Sequence, residues 1–238
     1  MNILLLGYGK MGKLIEEIAL KKGHSIVGKI NSQNNQELAL IDPNIIDVAI
    51  EFTKPETVTG NIKWCINKGI PVVIGTTGWL EHKPEIDDYC NVKNGTYFFA
   101  SNFSIGVNLF FKLNEQLAKK LNSFNEYDPS INEIHHTEKL DAPSGTAITL
   151  AEGIINNLSR KNKWVNNEST EDDVLSIKSQ RVDTTPGTHT VTYDSLNDQI
   201  ELKHTAHSRQ GFATGALLVA EWIIDKKGVL SMDDFLSL

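Results

Sequence analysis

Arginine is scarce in this chain of 238 residues: three stand against 20 lysines, among 23 cations and 30 acids. The planar fork that suits base edges and phosphates is therefore nearly missing. The formal net charge of −7 also denies the basic footprint that displaces counterions from a duplex, so no nucleic-acid partner is expected. Only two cysteines occur, Cys65 and Cys90, without a CxxC pattern. That excludes a disulfide-stapled scaffold and points to free thiols. Long apolar runs are absent too: residues 216–220 fall far short of the roughly 20 that span a bilayer. The run at residues 3–6 is shorter than the roughly 7 to 15 residues of a secretory signal core. No membrane contact is expected, and the chain reads as cytoplasmic. There is no internal repeat and no low-complexity tract.

What is present is an ordinary globular composition, 40% hydrophobic and 22% charged, in a length that allows one large domain or two modest ones. The first half alternates short aliphatic runs with helical patterns. Strands are predicted at residues 2–6, 25–30, 47–52, 72–75 and 96–99, and a helix at 10–22 with Met11, Leu14, Ile15 and Ile18 on one face. The pattern is α/β, a Rossmann-type doubly wound parallel sheet. After Asn102 the character changes to helices at 107–121 and 144–158, a strand at 131–136, a polar surface loop at 161–173, and β-like runs at 174–182, 188–195 and 199–207. This describes a second, α+β domain. The apolar helix at 212–224 is expected to return to the first domain. The expected division is 1–103 plus 212–238 for dinucleotide binding, and 104–211 for substrate binding and oligomerisation.

Gly7-Tyr8-Gly9-Lys10-Met11-Gly12 fits G-x-G-x-x-G between a strand and a helix. The first glycine permits the turn, the second lets the backbone approach a pyrophosphate, and the third lets helix and strand pack closely. An NAD-preferring site usually places an acid at the end of the second strand, but here Lys29-Ile30-Asn31-Ser32 stands there, with no acid before Glu37. A 2′-phosphate would gain the Lys29 cation and meet no carboxylate, so NADPH is expected to serve at least as well as NADH. Glu51-Phe52-Thr53, Gly75-Thr76-Thr77-Gly78 and Ala100-Ser101-Asn102-Phe103 lie at further strand ends, the rim where open α/β sheets bind ligands.

The densest chemistry is Ile134-His135-His136-Thr137-Glu138-Lys139-Leu140-Asp141-Ala142-Pro143-Ser144-Gly145-Thr146. Ser144 reads as a helix N-cap, leaving Gly145 and Thr146 to offer backbone N–H groups as a carboxylate cradle. His135, His136 and Lys139 bring proton donors and positive charge beside it, which suits an anionic substrate that must be protonated. A metal site is not expected: adjacent histidines on a strand point to opposite faces, and no carboxylate or cysteine at ligand spacing completes a set.

These segments, together with Asn102-Phe103-Ser104-Ile105-Gly106-Val107-Asn108 and Thr205-Ala206-His207-Ser208-Arg209, resemble the 4-hydroxy-tetrahydrodipicolinate (dihydrodipicolinate) reductase family nearly end to end. The resemblance implies an NADH- or NADPH-dependent enzyme of the diaminopimelate route to lysine, without a metal. Its substrate would be a small cyclic dicarboxylate and its assembly a homotetramer. His135 then resembles the proton donor/acceptor and Lys139 the proton donor, while His136, Gly145 and Thr146 resemble substrate ligands. Gly75 to Thr77 and Ala100 to Phe103 resemble cofactor ligands. Departures are a shorter glycine loop, Glu51 where Asp is common, and Glu138. Arg209 stands in a family-like segment, conspicuous for the scarcity of its type. Two other readings remain open: an aspartate dehydrogenase-like enzyme, which leaves the DAPSGT cradle unexplained, and a dinucleotide sensor without turnover, which would not need His135 and Lys139 together.

Overall fold

A computed structural model describes every residue except Arg209 and Leu238; the Arg209 expectation therefore lies outside the described residues. The chain forms two compact units, Met1–Ser104 with Gln210–Leu238, and Ile105–Arg209.

The first unit begins with β1 (Asn2–Leu6), α1 (Lys10–Lys21), β2 (Ser25–Ile30), β3 (Val48–Glu51), α2 (Pro55–Asn67), β4 (Val72–Ile74), α3 (Lys83–Val92) and β5 (Thr96–Phe99). The second contains α4 (Ile105–Leu121), β6 (Asp128–His135), α5 (Gly145–Ile155), β7 (Lys163–Val165), β8 (Val174–Arg181), β9 (Thr188–Asp194) and β10 (Gln199–Thr205). The chain then re-enters the first unit as α6 (Gln210–Ile223), β11 (Gly228–Leu230) and α7 (Met232–Leu236).

In the first unit all neighbouring strands run parallel, in the order β11-β5-β4-β3-β1-β2. β1 shows why its sequence is uninterruptedly aliphatic. Ile3 and Leu5 enter one core layer with Ile15, Ala216 and Leu217, whereas Leu4 and Leu6 enter the opposite layer with Val58, Ile62 and Ile86. A strand covered on both faces has no polar side to alternate with. Cys65 and Cys90 are free and buried in that second layer. β11 is not anticipated by the sequence, because three residues carry too little pattern; parallel pairing with β5 makes it the sixth strand.

The second unit is a mixed five-stranded sheet, β10-β9-β6-β8-β7, with β6, β8 and β7 parallel and β9 antiparallel to both neighbours. Its core joins Phe110, Ala118 and Leu121 of α4 and Leu150 and Ile154 of α5 to Ile131, Ile177 and Val191 of the strands. Of the stretch expected to be a surface loop at 161–173, Lys163–Val165 form β7, while 166–173 join no helix or strand. Within that stretch Lys161 is buried, with Nζ 2.6 Å from Asp128 and donating to the Val174 carbonyl at 2.9 Å. Trp164 meanwhile packs on the core. No helix among the described residues is long and apolar enough to cross a membrane.

Candidate active site

In the first unit every strand is parallel, so the carboxyl ends of β1 to β5 share one edge. The glycine loop there is held by close contact. Gly7 has φ +96, and a Cβ on it would lie 2.0 Å from the Phe52 carbonyl oxygen; one on Gly12 would lie 2.3 Å from the Gly7 oxygen. Gly9, in contrast, is exposed and meets nothing within 4 Å. Gly7 and Gly12 thus seat the turn, and Gly9 leaves open space before the α1 N-terminus, where Lys10 and Met11 follow. That fits a pyrophosphate cradled on backbone N–H groups.

Further along the edge, the Thr53 amide donates to Thr76 Oγ1 at 2.7 Å, and Trp79 Nε1 donates to the Thr76 carbonyl at 2.9 Å. Buried Glu51 accepts from the Thr53 hydroxyl and, at 3.2 Å, from Asn61. Burial raises its pKa against those hydrogen bonds. Of the candidate cofactor residues, Thr76, Ala100 and Phe103 are buried, whereas Thr77 and Ser101 are exposed and Gly75 and Asn102 are half-buried.

Lys29 differs from expectation. Its Nζ lies 2.5 Å from a Glu16 carboxylate oxygen and 5.0 Å from the Tyr8 ring centroid, and the Tyr8 hydroxyl donates to the same carboxylate. Lys29 holds the Glu16 carboxyl below its usual range. The expectation that no carboxylate stands at this position is therefore corrected. Glu16 arrives from α1, thirteen positions earlier, because the β1–α1–β2 crossover lays α1 against β2.

In the second unit, His135 is the last residue of β6 and is buried, with Glu133 two positions earlier on the same face and fully buried. Both Glu133 oxygens accept from the Ser144 amide, at 3.1 and 3.2 Å. Ser144 is the N-cap of α5 as expected, accepting from the Ala147 amide at 3.2 Å, and its hydroxyl lies 3.1 Å from His189 Nε2. Gly145 and Thr146 follow in the first turn, where no preceding turn offers their N–H groups an acceptor. His136 is half-buried just beyond the strand, and its backbone carbonyl accepts from the Lys139 amide at 3.1 Å.

The loop between β6 and α5 is clamped by Arg181 of β8. Its guanidinium donates to the carbonyls of Lys139, at 3.2 Å, and of Asp141, and lies 3.5 Å from Glu133. Lys139 Nζ meets both Asp141 oxygens, at 2.8 and 2.7 Å. Burial, with His189, Lys139 and Arg181 adding to it and Glu133 opposing, lowers the His135 pKa to about 4, so its imidazole is neutral at pH 7. Burial alone would raise Glu133, but hydrogen bonding to His189 and Ser144 holds it well below the carboxylate range.

Both halves of the chain match one family: residues 1–103 fit the model for the dihydrodipicolinate reductase N-terminus and residues 106–236 the model for its C-terminus. The chain belongs to the dihydrodipicolinate reductase family. It is similar to the 4-hydroxy-tetrahydrodipicolinate reductase of Christiangramia forsetii, 48% identical over 238 residues that cover 100% of this chain and 98% of that one. The Methanococcoides burtonii protein of the same name is 35% identical, covering 96% and 95%. Its fold is that of the dipicolinate-bound dihydrodipicolinate reductase from Paenisporosarcina sp. TG-14, with a TM-score of 0.80 at 23% identity and 99% coverage of both chains.

Within this reductase fold, Glu133, Arg181, His189 and Glu16 join the site without having stood out in the sequence. Glu133 was legible in principle as a polar residue on the inward face of β6. His189 and Arg181 enter only through strand register, opposite Glu133 on β9 and beside His135 on β8. The same register corrects the view that no carboxylate joins the histidines: atoms of Glu133, His135 and His189 lie within 4.8 Å of one another. The Ser144 amide and hydroxyl already engage Glu133 and His189, so the cluster is built as a hydrogen-bonded charge network.

Proposed function

We infer that this chain catalyses the NAD(P)H-dependent reduction of 4-hydroxy-tetrahydrodipicolinate to tetrahydrodipicolinate with loss of water, a step of diaminopimelate and lysine biosynthesis. What supports this reading is a chain whose two halves both match the reductase family and whose second half carries His135, Lys139 and the Ser144-capped start of α5 along one short stretch.

The nicotinamide supplies a hydride when bound. Gly7, Tyr8, Gly9, Lys10, Met11 and Gly12 are suited to hold the dinucleotide phosphates; Gly75 to Thr77 and Ala100 to Phe103 are suited to its nicotinamide side. Lys29 is assigned to a 2′-phosphate, and NADPH is proposed to serve at least as well as NADH, with Glu16 as its competitor for that lysine.

A hydride added to a conjugated cyclic imine leaves electron density on the ring nitrogen, and a nearby acid or cation stabilises it. Lys139 is assigned as that donor. His135, neutral at pH 7, is assigned as the proton acceptor and relay. The two carboxylates of the substrate want separate anchors: the N–H groups of Gly145 and Thr146 suit one, and His136 is a ligand candidate for the ring system. Lys139 approaches this task already paired with Asp141, so an arriving carboxylate competes with an internal one. The buried free thiols accord with a reducing, cytoplasmic setting. A homotetramer is proposed and is open to light scattering.

The test is NADPH oxidation with substrate generated from pyruvate and aspartate semialdehyde by the preceding synthase. Turnover supports the reading; cofactor binding without turnover favours a sensor.

A further inference from the structure

Glu133 occupies a position where the sheet would ordinarily take an aliphatic side chain. Along β6, Ile131, Glu133 and His135 share one face, and Ile131 is part of the core of its unit. A carboxylate fully removed from solvent is retained only where charges and donors compensate it. Here four groups do so, from four different segments. The Ser144 amide at the start of α5 donates to both oxygens, at 3.1 and 3.2 Å. His189 Nε2 from β9 stands at 3.6 Å, Arg181 from β8 at 3.5 Å, and His135 Nδ1 from β6 itself at 3.5 Å.

We propose that Glu133 is a positioning residue for the reductive chemistry: one carboxylate faces the His135 Nδ1 side at 3.5 Å without a hydrogen bond, where its charge favours the imidazolium, and ties the α5 N-terminal cradle to β6. The inference rests on the reading of His135 as the proton relay. With Nδ1 turned toward Glu133, the ring presents Nε2 on the other side, next to Gly187, where the missing side chain leaves room. A carboxylate beside an imidazole stabilises the imidazolium formed in transit by its charge. The charged groups that face His135 from every neighbouring segment are His189, Lys139 and Arg181, each of which opposes a second positive charge, and Glu133, which alone favours it. The same carboxylate also occupies the Ser144 amide, so the anchor for the substrate and the handling of the proton are set by one group.

These two jobs separate on substitution. Glu133→Gln keeps an oxygen that accepts from the Ser144 amide but removes the charge. The expected result is a fall in kcat of about 10- to 100-fold, with the KM for the dicarboxylate changed by less than about threefold and the KM for NADPH unchanged. Glu133→Ala removes both, so the dicarboxylate KM rises as well. Glu133→Asp restores the charge one methylene short, and its kcat should recover above that of the Gln variant. Thermal melting checks that each variant is folded. A wild-type kcat in Glu133→Gln, or a Glu133→Asp enzyme no better than Glu133→Ala, overturns the proposal. If the Gln variant does not fold, a folded Glu133→Ala enzyme with wild-type kcat overturns it instead. Activity lost on chelation and recovered with zinc would assign the cluster to a cation and overturn it also. An inactive wild type refutes the proposed reaction rather than this assignment.

Discussion

Gly187 stands against His135: a Cβ built on Gly187 would lie 3.1 Å from His135 Nε2, and the glycine holds φ +155, a conformation L side chains rarely adopt. Gly187→Ala therefore strains the backbone and pushes on the ring together. The expected cost is about 1 to 3 kcal/mol of stability, with a fall in kcat larger than any change in NADPH affinity. Melting curves and steady-state kinetics on the same preparation check it, and an alanine variant that melts and turns over like wild type would show that the space is not needed.

Lys139 is proposed as the proton donor. Lys139→Ala is expected to lower kcat about 100-fold while leaving the KM for NADPH within about twofold, because the lysine belongs to the second unit and the glycine loop to the first. An active variant would refute the role.

With Lys29 assigned to a 2′-phosphate, the Glu16–Lys29 pair is proposed to set how strongly that phosphate is held. Lys29 is exposed, so the effect is that of a surface charge, up to about 1 kcal/mol or roughly fivefold. Lys29→Ala should raise the KM for NADPH by that factor and leave NADH unchanged, whereas Glu16→Gln should lower the KM for NADPH by freeing the cation. A strong NADH preference untouched by either substitution would contradict the assignment.

Stability should fall in mild acid. The His135 pKa is about 4 in the fold against 6.5 for an unperturbed histidine, so the unfolded chain takes up the proton first as pH drops. The folded state keeps its full stability above about pH 6.5 and loses it progressively down to about 4, by at most about 3 kcal/mol. Glu133 is also lower in the fold than unfolded, and its contribution is lost at still lower pH. The melting temperature should decline between pH 7 and 5, and His135→Gln should flatten that decline; an equal decline in the variant would place its origin elsewhere.

Much of the site was legible because local chemistry marks it. The glycine spacing, the Ser144 cap and the His135-to-Thr146 run each advertise a function within a dozen residues, and periodicity located β1, α1 and the return helix. In the polar stretch at 161–173, Lys161 is buried beside Asp128 and residues 163–165 pair with β8, neither of which a hydropathy pattern reveals.

The sequence by itself therefore determined the kinds of groups available: a glycine-rich turn before a helix, histidines and a lysine in one short run, and a capped helix start suited to an anion. Only the tertiary structure decided which groups modify them. Glu16 reaches Lys29 through a crossover, and His189 and Arg181 reach Glu133 through strand register. The reason is physical. Local motifs are set by neighbours along the chain, but a charge is stabilised by whatever the fold brings within a few ångströms, and those partners lie from about a dozen to more than fifty residues away.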